Sequence, residues 1–286
     1  MDLPVAVLAS RIRLEEKLIL AELARRGVPV EVIDTRRVLF EVQAPKPGYA
    51  GVISREISHT RNVYAARLLE HSGLTVVNSA DVVALCGDKL LTTLTLHAAG
   101  LPVPRAAVSL SPEHALEHLE SFGFPLVSKP VNGSWGHLAA RPTDRNSAEI
   151  MLEHRSALPS PQHQVVYVQE YVDKPGRDIK AYVMGGEVVG VIYKMSSEWR
   201  TNTARGGTTK RCDPDEELTK LLRATADAVG DGILGIDVLE SEHDGYLVNE
   251  VNHTPEFHGA LEVLSVDLVG AYVDFVARKL GLGAAA

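Results

Sequence analysis

The stretch "YLVNEVNHTPEF", residues 246–257, sets a carboxylate, Glu250, and an amide, Asn252, two residues apart among strand-forming apolar residues. Side chains two apart on a strand share a face. Upstream, Asp244-Gly245 separates this run from "GILGIDVLE" and signals a hairpin. With those two residues as the turn, Asp237 faces Asn252 and Glu250 faces Leu239. A register slipped by two keeps Asp237, Glu250 and Asn252 on one face, whereas a slip of one splits them. Three oxygen ligands, two of them anionic, suit Mg²⁺ shared with substrate phosphates. An ordinary solvated sheet face is the alternative this segment leaves open.

Other segments carry compatible chemistry. "KPVNGSWGHLA" ends a strand at Lys129 and enters a loop with Gly133, Ser134 and Gly136. Such a loop can lay backbone N–H groups on phosphate oxygens beside a lysine point charge. It is no P-loop, because GxxxxGK[ST] is missing. "CGDKLLT" puts Lys89 at a helix start, where the N–H groups and dipole favour an anion. "VQEYVDKPGRDIKAYV" leads from a strand through a Pro-Gly break to a second strand with Asp178 and Lys180 on one face. A strand followed by a loop can bind a purine edge through backbone groups. "RTNTARGGTTK" is a long polar loop, of the kind that forms lids over anions. Taken singly, each segment also reads as a plain turn, a linker or a solvated surface.

The elements that must position these residues divide the chain of 286 residues into more than one core. "LPVAVLA", "VPVEVID", "YAGVIS" and "LTVVNS" are apolar runs of the kind found in a parallel sheet covered on both faces. Helices over 14–26 and 60–72, ended by Gly27 and Gly73, alternate with them. This predicts a doubly wound domain over residues 1–84. The loop after the first strand, "ASRIR", has no GxGxxG, which disfavours a dinucleotide dehydrogenase and leaves packing or substrate contact. Beyond residue 84, strand runs joined by turns predict α+β structure. Gly185-Gly186 marks a hairpin, and Ser111 reads as the N-cap of a helix with Pro112 at its first position. The divisions expected are 85–172 for a central unit and 173–286 for a C-terminal one.

Bulk composition narrows the function classes. A formal net charge of −8 offers no footprint for nucleic acid. No apolar run approaches the length of a membrane span, and no signal segment opens the chain. Cys86 and Cys212 stand apart without CxxC spacing, as suits a reducing compartment. The expected location is the cytoplasm.

As a set, "GDKL", "KPVNGSWGHLA", "QEYVDKPGRDIKAYV", "TNTARGG" and "LVNEVNHTPEF" resemble the ATP-grasp superfamily of carboxylate–amine ligases. The likeness spans the whole chain and is nearest to the ligases of lysine biosynthesis that join α-aminoadipate to an amino-group carrier protein. It implies a three-domain ATP-grasp architecture of α/β and α+β type, two α+β domains clamping ATP beside the N-terminal doubly wound domain. It implies that Lys89 and Lys129 hold the phosphates and that Gly133, Ser134, Trp135 and Gly136 close over them. Gln169, Glu170, Tyr171 and Val172 would form the adenine hinge, with Asp178 on the nucleotide side. Lys180, Asn202 and Arg205 would serve the transferred phosphoryl group. Asp237, Glu250 and Asn252 would carry two Mg²⁺ ions, and His253, Thr254 and Glu256 would face the amino-acid substrate.

The chain departs from the family pattern at three places: His137, Lys180 in place of arginine, and His258-Gly259 after "PEF". The last lies beside the amino-acid pocket and bears on substrate choice. His253 and His258 are candidates for a general base, and each also reads as an ordinary core or surface histidine. The implied partners are a small acidic carrier protein, an amino acid and further copies of the chain, with no nucleic acid and no membrane. Arg200, Arg205, Lys210 and Arg211 read either as a basic patch that could steer the carrier or as a solvated basic loop. Glutamate in place of aminoadipate, or another protein's tail in place of the carrier, keeps the same chemistry. A nucleotide-binding regulator without turnover is the reading from another class.

Overall fold

The computed structural model describes residues 3–133, 135–196, 198, 199, 201 and 207–282. Within them, twelve strands lie in three sheets. Strands β1 (Val5–Leu8), β2 (Val30–Ile33), β3 (Gly51–Ser54) and β4 (Val76–Val77) form a parallel sheet in the order β2-β1-β3-β4. The two inner strands are buried at every position, as their unbroken apolar runs require. Helices Leu14–Arg25 and His59–His71 make the crossovers, and Gly27 and Gly73 follow them at positive φ.

Strands β5 (Ala106–Ser109), β6 (Leu126–Lys129) and β7 (Val166–Glu170) form a small antiparallel sheet in the order β5-β7-β6. It packs on helices Ala115–Phe122 and Arg145–Ser156 through a core of its own around Leu119, Leu126, Leu152 and Val168. The first of these helices differs from expectation at its start. It begins at Ala115 with His114 as N-cap and no side-chain cap, because Ser111–His114 form a preceding turn in which Ala115 N donates to Pro112 O.

Strands β8 (Arg177–Met184), β9 (Glu187–Met195), β10 (Thr208–Arg211), β11 (Ile233–Ser241) and β12 (Gly245–Asn252) form the largest sheet, in the order β10-β9-β8-β11-β12. Its two faces follow the period of a strand. Ile179, Ala181, Val183, Ile236, Val238, Val248 and Val251 point back onto helix Glu216–Val229. The interleaved residues Asp178, Lys180, Asp237, Glu250 and Asn252 point the other way, into a cleft. The far end of the sheet shares one core with the parallel sheet through helix Leu268–Leu280, in which Tyr182, Met184 and Ile192 meet Val5, Val7 and Ile53. Asn78 fastens the same junction: its Nδ2 donates to Ile233 O at 2.8 Å and His253 O at 2.7 Å, and its Oδ1 accepts from Ile233 N at 2.7 Å.

The β11–β12 register differs from the expected one. The turn takes residues 242–244, and Gly245 at φ +71° re-enters the strand, so Ser241 pairs with Gly245 and Leu239 with Leu247. Continued unbroken, that register would set Asp237 against Asn249 and turn Glu250 to the opposite face. A bulge prevents it: Val238 pairs with Val248 but Asp237 pairs with Glu250, leaving Asn249 as the extra residue. Asp237, Glu250 and Asn252 thereby return to one face, as anticipated, and Asn249 is turned toward the cleft as well.

Candidate active site

The cleft, a cavity of about 260 Å³, lies between the polar face of the large sheet and the end of the small one. Its floor contains a row that crosses three strands, with Lys180 opposite Asp237 and Asp237 opposite Glu250. Lys194 on β9 stands opposite Asp178. Gly235, opposite Asn252, leaves room for the returning chain: a Cβ there would meet Pro255 Cβ at 2.8 Å. The roof supplies Lys129, Gly133, Trp135, Gly136 and the strand end Gln169, Glu170, Tyr171 and Val172.

Cations and anions interleave. Lys89 Nζ lies 3.0 Å from Glu250 Oε1 and donates to Gly133 O at 2.6 Å. Lys129 Nζ donates to Gln169 Oε1 at 2.6 Å and to Asn249 Oδ1 at 2.7 Å. Lys194 Nζ meets Asp237 Oδ1 at 2.7 Å, and Lys174 pairs with Asp178, which also accepts from Thr201 Oγ1. Burial pushes the Asp237 carboxyl up, but Lys194, Lys180 and Lys129 outweigh it and hold the group below the usual carboxylate range. Burial depresses the Lys129 ammonium to about 8, against the opposing pull of Glu250, Asp178 and Asp237.

The donor set fits a magnesium nucleotide. Asp237 and Glu250 are cross-strand neighbours, and Asn252 Nδ2 donates to Asp237 Oδ2 at 3.1 Å, which keeps the amide beside them. Among the described residues no group of three or more His, Cys, Asp and Glu gathers to hold a metal. An incomplete shell of hard oxygens is what a cation sharing its ligands with phosphate oxygens needs. Lys89, Lys129, Lys174, Lys180 and Lys194 line the same cavity, a concentration of positive charge suited to a polyphosphate.

Most residues singled out in the sequence converge here: Lys89, Lys129, Gly133, Trp135, Gly136, Gln169–Val172, Asp178, Lys180, Asp237, Glu250, Asn252, Thr254 and Glu256 all line the cavity. Ser134, Asn202 and Arg205 lie outside the described residues, as does Arg200. Two expectations are corrected. The start of helix Lys89–Ala98 is not open to an anion, because the Asp88 carboxylate accepts from Leu90 N and Leu91 N; only the Lys89 side chain reaches the cleft. The two histidines do not face the cavity. His253, one residue off the parity of Glu250 and Asn252, tilts against His59 at 6.1 Å, and burial depresses its imidazole to about 3. His258 is held by Glu15 at 2.7 Å.

Arg13, Lys174, Lys194, Asn249 and Trp199 also line the cleft and were not singled out. The loop holding Arg13 reads in sequence as packing or substrate contact, without Arg13 itself being chosen. Lys194 was hidden by a bulge in the β8–β9 hairpin: without it the Gly185-Gly186 turn would set Tyr193 against Asp178. Of the basic patch, Lys210 and Arg211 are exposed on β10, and Arg211 pairs with Asp213 at 2.8 Å.

Known proteins share this organisation. Residues 5–85 match the LysX preATP-grasp domain and residues 86–276 the RimK-like ATP-grasp domain. The glutamate–LysW ligase ArgX of Sulfolobus acidocaldarius is 34% identical over 274 residues, covering 95% of this chain and 97% of the relative. The alpha-aminoadipate–LysW ligase LysX of the same organism is 38% identical over 213 residues, covering 74% and 77% respectively. The crystal structure of a RimK domain protein, ATP-grasp, from Sphaerobacter thermophilus superimposes with a TM-score of 0.81 at 25% identity, covering 95% of this chain and 98% of that one.

Proposed function

We propose, from the premise that this chain belongs to the RimK-like ATP-grasp family and is an ATP-dependent carboxylate–amine ligase, that it joins an acidic amino acid to a carrier protein. In this reading the C-terminal glutamate side chain of a small acidic amino-group carrier protein is the carboxylate, and the α-amino group of α-aminoadipate is the amine, as a step of lysine biosynthesis in the cytoplasm. No described helix is long and apolar enough to cross a membrane.

The observation that carries the proposal is the mixed-charge row Lys180–Asp237–Glu250 facing Lys89 and Lys129 across one cavity. A carboxylate does not acylate an amine unaided, since the attack would have to expel oxide. Transfer of the γ-phosphoryl group to it gives an acyl phosphate. The amine then adds to the carbonyl carbon, and phosphate leaves with the bonding electrons. Lys89 and Lys129, with the loop Gly133–Gly136, hold the nucleotide phosphates. Gln169–Val172 present the adenine edge, and Asp178 lies on the nucleotide side, fixed by Lys174 and Thr201. Lys180, with Asn202 and Arg205, takes the phosphoryl group in transfer. Asp237, Glu250 and Asn252 would hold two Mg²⁺ ions, which when bound neutralise phosphate charge. The divisions 1–84, 85–172 and 173–286 supply one sheet each.

Glutamate is the second reading, supported by the ArgX relative that spans nearly the whole chain. The test is ADP release and mass gain on a purified carrier protein ending in glutamate. Gain only with α-aminoadipate supports the first reading, and gain only with glutamate the second. No gain with either, while ATP binds, contradicts both.

A further inference from the structure

The cleft has a second charged end, apart from the lysines and the metal ligands. Arg13 Nη1 lies 3.0 Å from Glu256 Oε1, with 15% and 30% of the two side chains exposed, and both line the cavity. Behind Arg13 stands Glu16, fully buried, which accepts from its Nε at 3.0 Å and its Nη2 at 2.8 Å. Glu16 also accepts from Arg55 Nε at 2.8 Å, and Arg55 Nη1 donates to Pro255 O at 3.2 Å. Arg55 is 1% exposed, so this is a rigid, desolvated support, and it leaves the Nη1 edge of Arg13 turned to the cleft. Glu256 is fixed in turn: Tyr182 Oη donates to its backbone carbonyl at 3.1 Å, and Trp135 Nε1 approaches both carboxylate oxygens at 3.3 Å.

An opposite pair held from behind, with its contact edge open to a cavity, can be divided by a ligand that carries both charges. We propose, resting on the ligase reading above, that Arg13 and Glu256 form a clamp for an α-amino acid, the guanidinium taking the α-carboxylate and Glu256 the α-ammonium. The two protein charges are in contact, and an α-amino acid bears its two charges on a single carbon. A β- or ω-amino acid separates them too far to replace the pair so compactly. Insertion exchanges one ion pair for two, so no desolvated charge loses its partner. His253, Thr254 and Pro255 join Glu256 to the strand bearing Glu250 and Asn252, so the clamp and those two residues line one cavity. Trp135, in the loop that follows Lys129, shares Glu256 with Arg13.

Titration calorimetry with the full chain and a non-hydrolysable ATP analogue tests this. The probes are L-glutamate and L-2-aminoadipate, their counterparts without the α-carboxylate (4-aminobutyrate, 5-aminopentanoate), and those without the amine (glutarate, adipate). The wild type should bind at least one amino acid and lose about 100-fold when either group is removed. Arg13→Gln should weaken that amino acid by about 100-fold while leaving its carboxylate-free counterpart nearly unaffected. Glu256→Gln should show the mirror pattern with the amine-free counterpart. Equal losses for ligands with and without the group, or unchanged amino-acid affinity in both variants, would overturn the clamp alone. If Arg13→Gln does not fold, because Glu16 loses a partner, Glu256→Gln decides by the same comparison. A wild type that binds the nucleotide but no α-amino acid overturns the ligase reading and the clamp with it.

Discussion

Asp237→Ala and Glu250→Ala each lower turnover by at least ~1,000-fold while the protein stays folded. Both carboxylates lie on the polar face of the large sheet, and their loss removes the anionic oxygens that would hold the metal against the phosphates. The other face of the same strands, with Ile236, Val238, Val248 and Val251, keeps its packing on helix Glu216–Val229. Asp237→Ala leaves Lys194 without its carboxylate partner, which costs about 3 kcal/mol. That is less than the stability of about 5–15 kcal/mol usual for a folded domain. The checks are steady-state ADP release at saturating Mg²⁺ and the thermal unfolding midpoint. A variant with near-normal turnover at ordinary magnesium would place the metal elsewhere.

ATP affinity falls as pH rises above about 8, by up to about tenfold per unit, and binding takes up a proton in that range. The cause is Lys129, whose ammonium is depressed by burial and would gain phosphate partners on binding. In the free protein it loses its proton at a pH where the unfolded chain still holds one. This group therefore destabilises the ligand-free fold below pH 8, and the penalty is relieved as pH rises from about 8 toward the ordinary lysine value of 10.5. Nucleotide phosphates reverse the preference and restore the charge. Lys129→Met should weaken ATP by about 100-fold at pH 7, and Lys129→Arg should flatten the profile, because a guanidinium stays charged throughout. Calorimetry in buffers of different ionisation enthalpy counts the protons. An affinity independent of pH between 7 and 9.5 would show that Lys129 does not bear on the phosphates.

How far the site was legible depended on which physical signal each residue left. Alternation alone places Asp237, Glu250 and Asn252 on one face, because a strand buried on one side must alternate. Their register was not legible. It depends on a turn one residue longer than expected and on the bulge at Asn249, and both answer to packing rather than to local sequence. The bulge near Val189 hid Lys194 in the same way. Other misses had usable signals. Asp88 directly before a helix is a strong N-cap, and it closes the anion site expected at Lys89. His253 breaks the parity of Glu250 and Asn252, which already pointed it away from the cleft. Arg13 needed the fold, since its contact with Glu256 spans most of the chain. The two inner strands of the parallel sheet were the most legible elements, because strands buried on both faces have no polar alternation to misread.

Activation of a carboxylate by phosphoryl transfer is tested most directly by isotope tracing. A carrier protein whose C-terminal carboxylates are labelled with ¹⁸O is incubated with the protein, ATP, Mg²⁺ and the amino acid, and the released phosphate is weighed. The acyl phosphate route predicts one ¹⁸O atom in the phosphate for each amide formed, with ADP as the other product. Unlabelled phosphate, or label in AMP, would contradict it.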